Sequence, residues 1–377
     1  MAKKPTILLV LPHPETDNFA ESLVKVLSEF DFRVCAFNAR NEDQQSSVWV
    51  ESTLVRLSGL RWRDIPYQTV KLIRLIRELK PDVIHTTDYK CAIVVAAVKL
   101  LTFSKTPFLL NRHYNKVHHD LHKKHVYIDR LLQRIANCVV VVSFAQRDTV
   151  LNLEKGPKSK VLVIHNGVEI ERLILDETHI RILRQEFREK SQYSLVAVGR
   201  IHSQKDYPTL IEALGYARGL GYDVHLYVCG VSNQSEQKIL DHKIVDLGLK
   251  SHVTFLGYVE NALNYIQASD VFVQSSMDEA FGISILEALF LRKRIAVTTP
   301  GGVIEFTSRF QEFLPPGDSQ RLAKKITNQL DSLGSECPKC MEIQYQYLIS
   351  NFEFKVTAAK YGSVYRSLLF SRVGAND

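Results

Sequence analysis

The feature that most constrains this chain is a recurring unit. An apolar, strand-like run ends in polar residues and is followed by a helix-like segment. The unit is plainest near residues 268–299. Ala268–Gln274 reads as a strand ending in polar residues. Asp278 to Ala288 reads as a loop entering a buried helix, and Arg294–Thr299 as the next strand. Strand, loop, helix, strand is the repeating unit of a parallel α/β sheet. Ligands of such sheets sit at the carboxyl ends of the strands. Two glutamates, Glu279 and Glu287, stand eight positions apart here. Glu279 falls on the loop. Glu287 falls about one turn into an apolar helix, where a carboxylate costs desolvation energy unless a partner or ligand satisfies it. A capping acid followed by a paired core acid is the alternative reading of the same spacing.

The unit begins at the N-terminus. Thr6–Leu11, Phe32–Phe37, Asp82–His85, Pro107–Asn111, Val139–Ser143 and Lys160–His165 read as strands with helices between several of them. After Asn166-Gly167-Val168-Glu169 the pattern starts again, with strands at Ser194–Gly199, Val224–Cys229 and Val253–Gly257. A chain of 377 residues holds two domains of ordinary size. The expected architecture is therefore α/β, two Rossmann-like domains facing a central cleft. Residues 1–168 form the first, 169–354 the second, and a last helix over 355–377 crosses back to the first. Residues 39–65 are polar and resist assignment.

Several function classes are excluded. The loop after the first strand, Pro12-His13-Pro14-Glu15-Thr16, holds no glycine, so the dinucleotide fingerprint is absent. The net charge of +7 suits an acidic partner, but no nucleic-acid motif accompanies it. No apolar run approaches a membrane span, and Thr6–Leu11 reads as a core strand rather than a secretory signal. A cytoplasmic protein is expected. Cys337-Pro338-Lys339-Cys340 is a single CxxC with no second pair to complete a zinc site. His118, His122 and His125 would share a helix face, but no carboxylate or cysteine joins them at motif spacing. That stretch, 112–134, reads instead as a basic face, as does Tyr67–Leu79 with Lys71, Arg74, Arg77 and Lys80. Both could lie on an anionic membrane surface.

Taken together, the residues resemble the retaining glycosyltransferases of family 4, with the GT-B fold. The resemblance covers most of the chain and is strongest from about 160 to 320. Glu279 and Glu287 match the E-x7-E pair, with Phe281-Gly282 in place. Gly199-Arg200 followed by Lys205 is similar to the Gly-Arg…Lys signature. Ile164-His165-Asn166-Gly167-Val168, Pro81-Asp82-Val83-Ile84-His85 and Leu314-Pro315-Pro316-Gly317-Asp318 resemble three further landmarks in the right order.

The resemblance implies transfer of a sugar from a nucleotide-sugar donor to a glycan or lipid-linked acceptor, with retained configuration and no metal or other cofactor. It implies Arg200 and Lys205 on the leaving diphosphate, Glu279 near the donor sugar and Glu287 on the ribose hydroxyls. The amides of Phe281, Gly282 and Ile283 would open a helix N-terminus to phosphate. The resemblance also implies donor binding at Gly199, on the loop of Arg200 and Lys205, and Glu305 would lie near the phosphate or base. His113 aligns with a histidine placed near the transferred sugar, although a structural role is an equal reading of the residue alone. It is not assigned as general base, because retention in this family is pictured as front-side attack. Two departures stand out. The first loop lacks the family's glycines, and Ser308-Arg309-Phe310 replaces an Asn/Asp-Gly turn. A GT-B nucleotide-sugar epimerase and a non-catalytic nucleotide-sugar-binding homologue are the alternatives.

Overall fold

The computed structural model describes residues 3–13, 17–37, 53–56, 61–113, 125–335 and 337–373. The chain divides into two compact units, residues 1–165 with 354–377, and residues 166–353.

The first unit is built on a seven-stranded sheet. Its strands are β1 (Thr6–Leu11), β2 (Asp31–Ala36), β3 (Thr53–Arg56), β4 (Val83–Thr86), β5 (Phe108–Arg112), β6 (Cys138–Val141) and β7 (Val161–Val163). Every pairing is parallel, in the order β3-β2-β1-β4-β5-β6-β7. A parallel sheet is covered on both faces, so its strands are apolar on both. Successive side chains alternate between the faces. Leu8, Val10, Ile84, Phe108 and Leu110 meet Leu72 and Ile76 of the helix Ile65–Leu79 and Val94, Val95 and Val98 of the helix Tyr89–Thr102. Ile7, Leu9, Val83 and Leu109 meet Leu23 and the final helix, Phe354–Val373. That helix buries Phe354, Ala358, Tyr361, Tyr365 and Leu368, a single stripe at helical spacing.

The second unit carries β8 (Tyr193–Val198), β9 (Val224–Cys229), β10 (Val253–Gly257), β11 (Val271–Gln274) and β12 (Arg294–Val297). They are parallel in the order β10-β9-β8-β11-β12. Leu195, Ala197, Val271 and Val273 pack against Leu210 and Leu214 of the helix Tyr207–Gly219 and Leu322 and Ile326 of the helix Ser319–Asp331. The strand order reverses at β8 and β11, which places a ligand crevice at their carboxyl ends.

Several features differ from the sequence expectation. β3 lies in the stretch that resisted assignment; it is a four-residue edge strand with little apolar signal. The helix Pro338–Phe352 was not anticipated, because only Leu348 and Phe352 of its residues are buried. The expected basic face over 112–134 begins with a residue that is not on the surface. Arg112 is fully buried and its Nη2 donates to Oε1 of the equally buried Glu154 at 2.9 Å. Its Nη1 and the Gln133 amide donate to the other carboxylate oxygen, and Arg130 donates to the Glu154 and Leu153 carbonyls. The Arg112 charge is therefore matched inside the fold, as buried charges must be. Residues 114–124, with His118, His119 and His122, lie outside the described residues, as do 14–16 of the first loop. His125 leans on Tyr89 at 5.4 Å between ring centroids. Cys337 and Cys340 are exposed, with Cys337 Sγ accepting from the Cys340 amide at the start of a helix.

Candidate functional site

The site begins with a close approach of two strand ends. β8 runs out at Val198, and the Gly199 amide donates to the Cys229 carbonyl at 3.0 Å. A Cβ at Gly230 would lie 1.9 Å from the Gly199 carbonyl oxygen, so only glycine fits where β9 meets this loop. Arg200 follows and is exposed. The short turn Ser203–Lys205 then leads into the helix Tyr207–Gly219.

Hydrogen bonds stitch this loop to the loop after β11. The single Ser275 hydroxyl proton is shared between the Lys205 and Asp206 carbonyls, 2.9 and 2.7 Å from Oγ. Gln204 Nε2 donates to the Asp278 carbonyl at 2.9 Å, and the Met277 amide to the Gln204 carbonyl at 2.8 Å. The stitching brings Lys205 onto Glu279, 74 residues away in the chain: Nζ donates to Oε1 at 2.5 Å. The same oxygen accepts from Gln274 Nε2 at 2.7 Å and Ser276 Oγ at 2.8 Å. Three donors on one carboxylate oxygen fix it in place. Gln274, Ser275 and Ser276 were not anticipated as site residues. Their signal was the polar ending of an otherwise apolar strand.

Gln274 also ties this network to the next helix, because Ser284 Oγ donates to its Oε1 at 3.1 Å. That helix, Ile283–Phe290, starts at Gly282 with no side-chain cap. Gly282 has φ +94°, and a Cβ there would press on Val303 Cγ2 at 3.1 Å. The helix N-terminus thus presents backbone N–H groups without a side-chain acceptor, the arrangement that favours an anion. Ile283 is exposed at this end. Phe281 is different: its side chain is 2% exposed and packs on Phe306 and Phe352, with ring centroids 5.1 and 5.9 Å away. Its ring is core, so only its backbone can meet a ligand.

Glu287 lies one turn further along the same helix. Its carboxyl forms no hydrogen bond or ion pair with any described residue. Burial alone pushes its pKa up to about 7. Among the described residues Glu287 therefore has no partner that would make it a paired core acid, while Glu279 is paired. The turn Gly301–Val303 is held alongside, its Gly302 amide donating to the Glu279 carbonyl at 3.1 Å. Glu305 follows in the first turn of the helix Ile304–Thr307 and is half-buried.

His113 belongs to the other unit, just past β5. Asn111 Nδ2 contacts its Nε2 at 2.8 Å, and an amide N–H₂ can only donate. The ring nitrogen therefore accepts, and the neutral ring carries its proton on Nδ1. Burial lowers the imidazole pKa, with Asp17 opposing. Phe19 stands edge-on at 4.9 Å. Asp17 itself accepts from Thr87 Oγ1 at 2.9 Å and caps the helix Asn18–Val26. No group of metal-ligating side chains occurs among the described residues.

Two family models cover most of the chain. Residues 16–172 match "Glycosyltransferase Family 4" and residues 180–342 match "Glycosyl transferases group 1". An uncharacterised glycosyltransferase of Methanocaldococcus jannaschii is 26% identical over 237 residues, 60% of each chain. A capsular polysaccharide biosynthesis glycosyltransferase of Staphylococcus aureus is 21% identical over 274 residues, 69% of this chain and 70% of its own. With three of the curated relatives the match spans only 46 to 60% of their own length. Among solved structures, Anabaena HepE in complex with UDP-glucose superposes with a TM-score of 0.80. It is 20% identical, over 96% of this chain and 99% of that one. At that identity the likeness is one of fold.

Proposed function

The chain belongs to glycosyltransferase family 4 and has the GT-B fold, and we propose that it transfers a sugar from a nucleotide-sugar donor to a glycan or lipid-linked acceptor, with retention at the anomeric carbon. The observation that carries this reading is the Lys205–Glu279 pair joined through Gln274 to the uncapped helix start at Gly282. In this reading the nucleoside diphosphate leaves with about two to three negative charges. Arg200, Lys205 and the amides after Gly282 stabilise that charge as it develops, which is the electrostatic part of catalysis. Glu279 orients Lys205 and approaches hydroxyls of the donor sugar. Glu287 accepts from the ribose hydroxyls, which supply the donors its carboxyl lacks. Two cations on the loop after β8 support this reading, which assigns no metal or other cofactor.

The test is incubation with nucleotide sugars and candidate acceptors. Nucleoside diphosphate is expected only when an acceptor is present, and the product linkage is expected to keep the donor's configuration by NMR. Diphosphate release without acceptor, or sugar epimerisation, would point to a different reaction.

The unpartnered Glu287 carboxyl makes a pH prediction. Its folded pKa is raised from 4.5 to about 7, so the folded state holds a proton that the unfolded state releases. Stability of this unit is expected to fall as pH rises across that window. Donor affinity is expected to rise through about pH 7, because the carboxylate is the better acceptor for hydroxyls. Glu287→Gln removes both slopes. A wild-type donor titration that is flat between pH 6 and 8 contradicts the assignment.

The helix Ile65–Leu79 bears on the acceptor. It buries Leu72, Leu75 and Ile76 and exposes Tyr67, Val70, Arg74 and Arg77, with Lys71 Nζ 4.5 Å from the Tyr67 ring centroid. No described helix is long and apolar enough to cross a membrane. A mixed aromatic and basic face suits the surface of an anionic bilayer, where a lipid-linked acceptor resides. Binding to phosphatidylglycerol vesicles is expected and should weaken with salt and on replacement of Arg74 and Arg77 by alanine. Absent or salt-insensitive binding removes the membrane part of the reading.

A further inference from the structure

A cavity of about 250 Å³ lies at the amino end of the C-terminal sheet, away from the strand ends that carry the site above. It forms where Ser194 enters β8, Asp270 precedes β11 and Arg294 begins β12. Five cations line it, Arg184, Arg188, Arg292, Lys293 and Arg294, against one carboxylate, Asp270.

Part of that charge serves the fold. Lys293 Nζ donates to the Ser269 and Gln267 carbonyls at the end of the helix Ala262–Ala268. Arg294 donates to Ser332 Oγ at 2.6 Å, and Arg292 pairs with Glu342 at 2.9 Å. Asp270 Oδ2 is occupied by the Ser194 amide and hydroxyl at 2.7 and 2.8 Å. Cations at helix carboxyl ends are stabilising, and Lys293 satisfies two carbonyls there.

The rest of the charge has no such use. Arg188 is exposed and forms no hydrogen bond or ion pair with a described residue. Arg184 makes one long bond, Nη2 to the Gln267 carbonyl at 3.3 Å. Burial holds the Lys293 ammonium down at about 8; Asp270 opposes this, while Arg184 and Arg294 add to it. Like charges thus face one another across a cavity whose single acid is already engaged.

We propose that this cavity binds a phosphate group, carried by inorganic phosphate or by a small phosphorylated metabolite. Guanidinium forks match phosphate oxygens in pairs, which a single ammonium cannot do. The volume is below the roughly 300–1,000 Å³ typical of larger ligands, which suits an anion of this size. The site stands independently of the donor reading. The two sites lie at opposite ends of β11 and of the segment from Gly282 through the helix Ile283–Phe290 to Arg294.

Thermal unfolding of the full chain tests the proposal, with sodium phosphate and glucose 6-phosphate in parallel and chloride controls at equal ionic strength. At about tenfold excess over Kd, an upward shift in Tm of roughly 3 °C is expected with at least one probe. The shift is expected to persist in Lys205→Ala, which alters the donor site. It is expected to vanish in the Arg184→Ala/Arg188→Ala variant, whose exposed helix positions leave folding intact. A larger shift with glucose 6-phosphate assigns the site to a metabolite; equal shifts assign it to the phosphate group alone. The proposal is overturned by no shift with either probe, by a shift that survives the double substitution, or by one lost in Lys205→Ala.

Discussion

Replacing Arg200 and Lys205 together by alanine is expected to lower turnover of a nucleotide-sugar donor by about two orders of magnitude or more. Each substitution removes one cation from the leaving diphosphate in the proposed mechanism. The two cations differ in what surrounds them. Arg200 is exposed on its loop, whereas Lys205 is held on Glu279 at 2.5 Å. Lys205 is therefore already oriented, and its loss should fall mainly on turnover. Arg200 must be brought to the phosphate by the donor, and its loss should fall on KM as well. Steady-state release of nucleoside diphosphate measures both. Turnover of the double variant within threefold of wild type would remove these residues from the mechanism.

Glu279→Ala is expected to be nearly as damaging, with turnover reduced about 100-fold or more. The substitution takes away the acceptor shared by Lys205, Gln274 and Ser276. Lys205 then loses its anchor, and Gln274 loses a bond on one side while still meeting Ser284 on the other. Because Lys205 and Glu279 touch, their effects should not add. The Lys205→Ala/Glu279→Ala variant is expected to be little worse than either single variant. Additive losses in that double-mutant cycle would mean that Glu279 acts on the donor without going through Lys205. Glu279→Gln keeps an acceptor oxygen and should recover part of the activity.

Much of this site was legible in the sequence because its parts sit at strand ends. Apolar runs such as Thr6–Leu11 and Val224–Cys229 mark strands of a parallel sheet by their short length and burial on both faces. The glycine at 282 and the acids at 279 and 287 follow from one strand–loop–helix unit. Pairings between distant segments were not legible. That Lys205 reaches Glu279 depends on β8 and β11 being neighbours, a crossover that local pattern does not encode. The same limit hid the Arg112–Glu154 pair, so a fully buried arginine read as the start of a basic surface. Phe281 was read for its backbone amide, and local pattern did not show that its ring fills the core beside Phe306. The strand Thr53–Arg56 escaped because an edge strand of four residues carries little periodic signal.

The central claim is that the carboxyl end of the C-terminal sheet binds a nucleotide sugar through Arg200, Lys205 and Glu287. Its most direct test is a thermal-shift screen of nucleotide sugars on the wild-type chain and on the Arg200→Ala/Lys205→Ala and Glu287→Ala variants. A ligand that binds only the folded state raises Tm, and the shift grows with the logarithm of ligand concentration relative to Kd. The account predicts that at least one nucleotide sugar raises the wild-type Tm by several degrees and that the shift is lost or sharply reduced in both variants. An undiminished shift in both variants would contradict it.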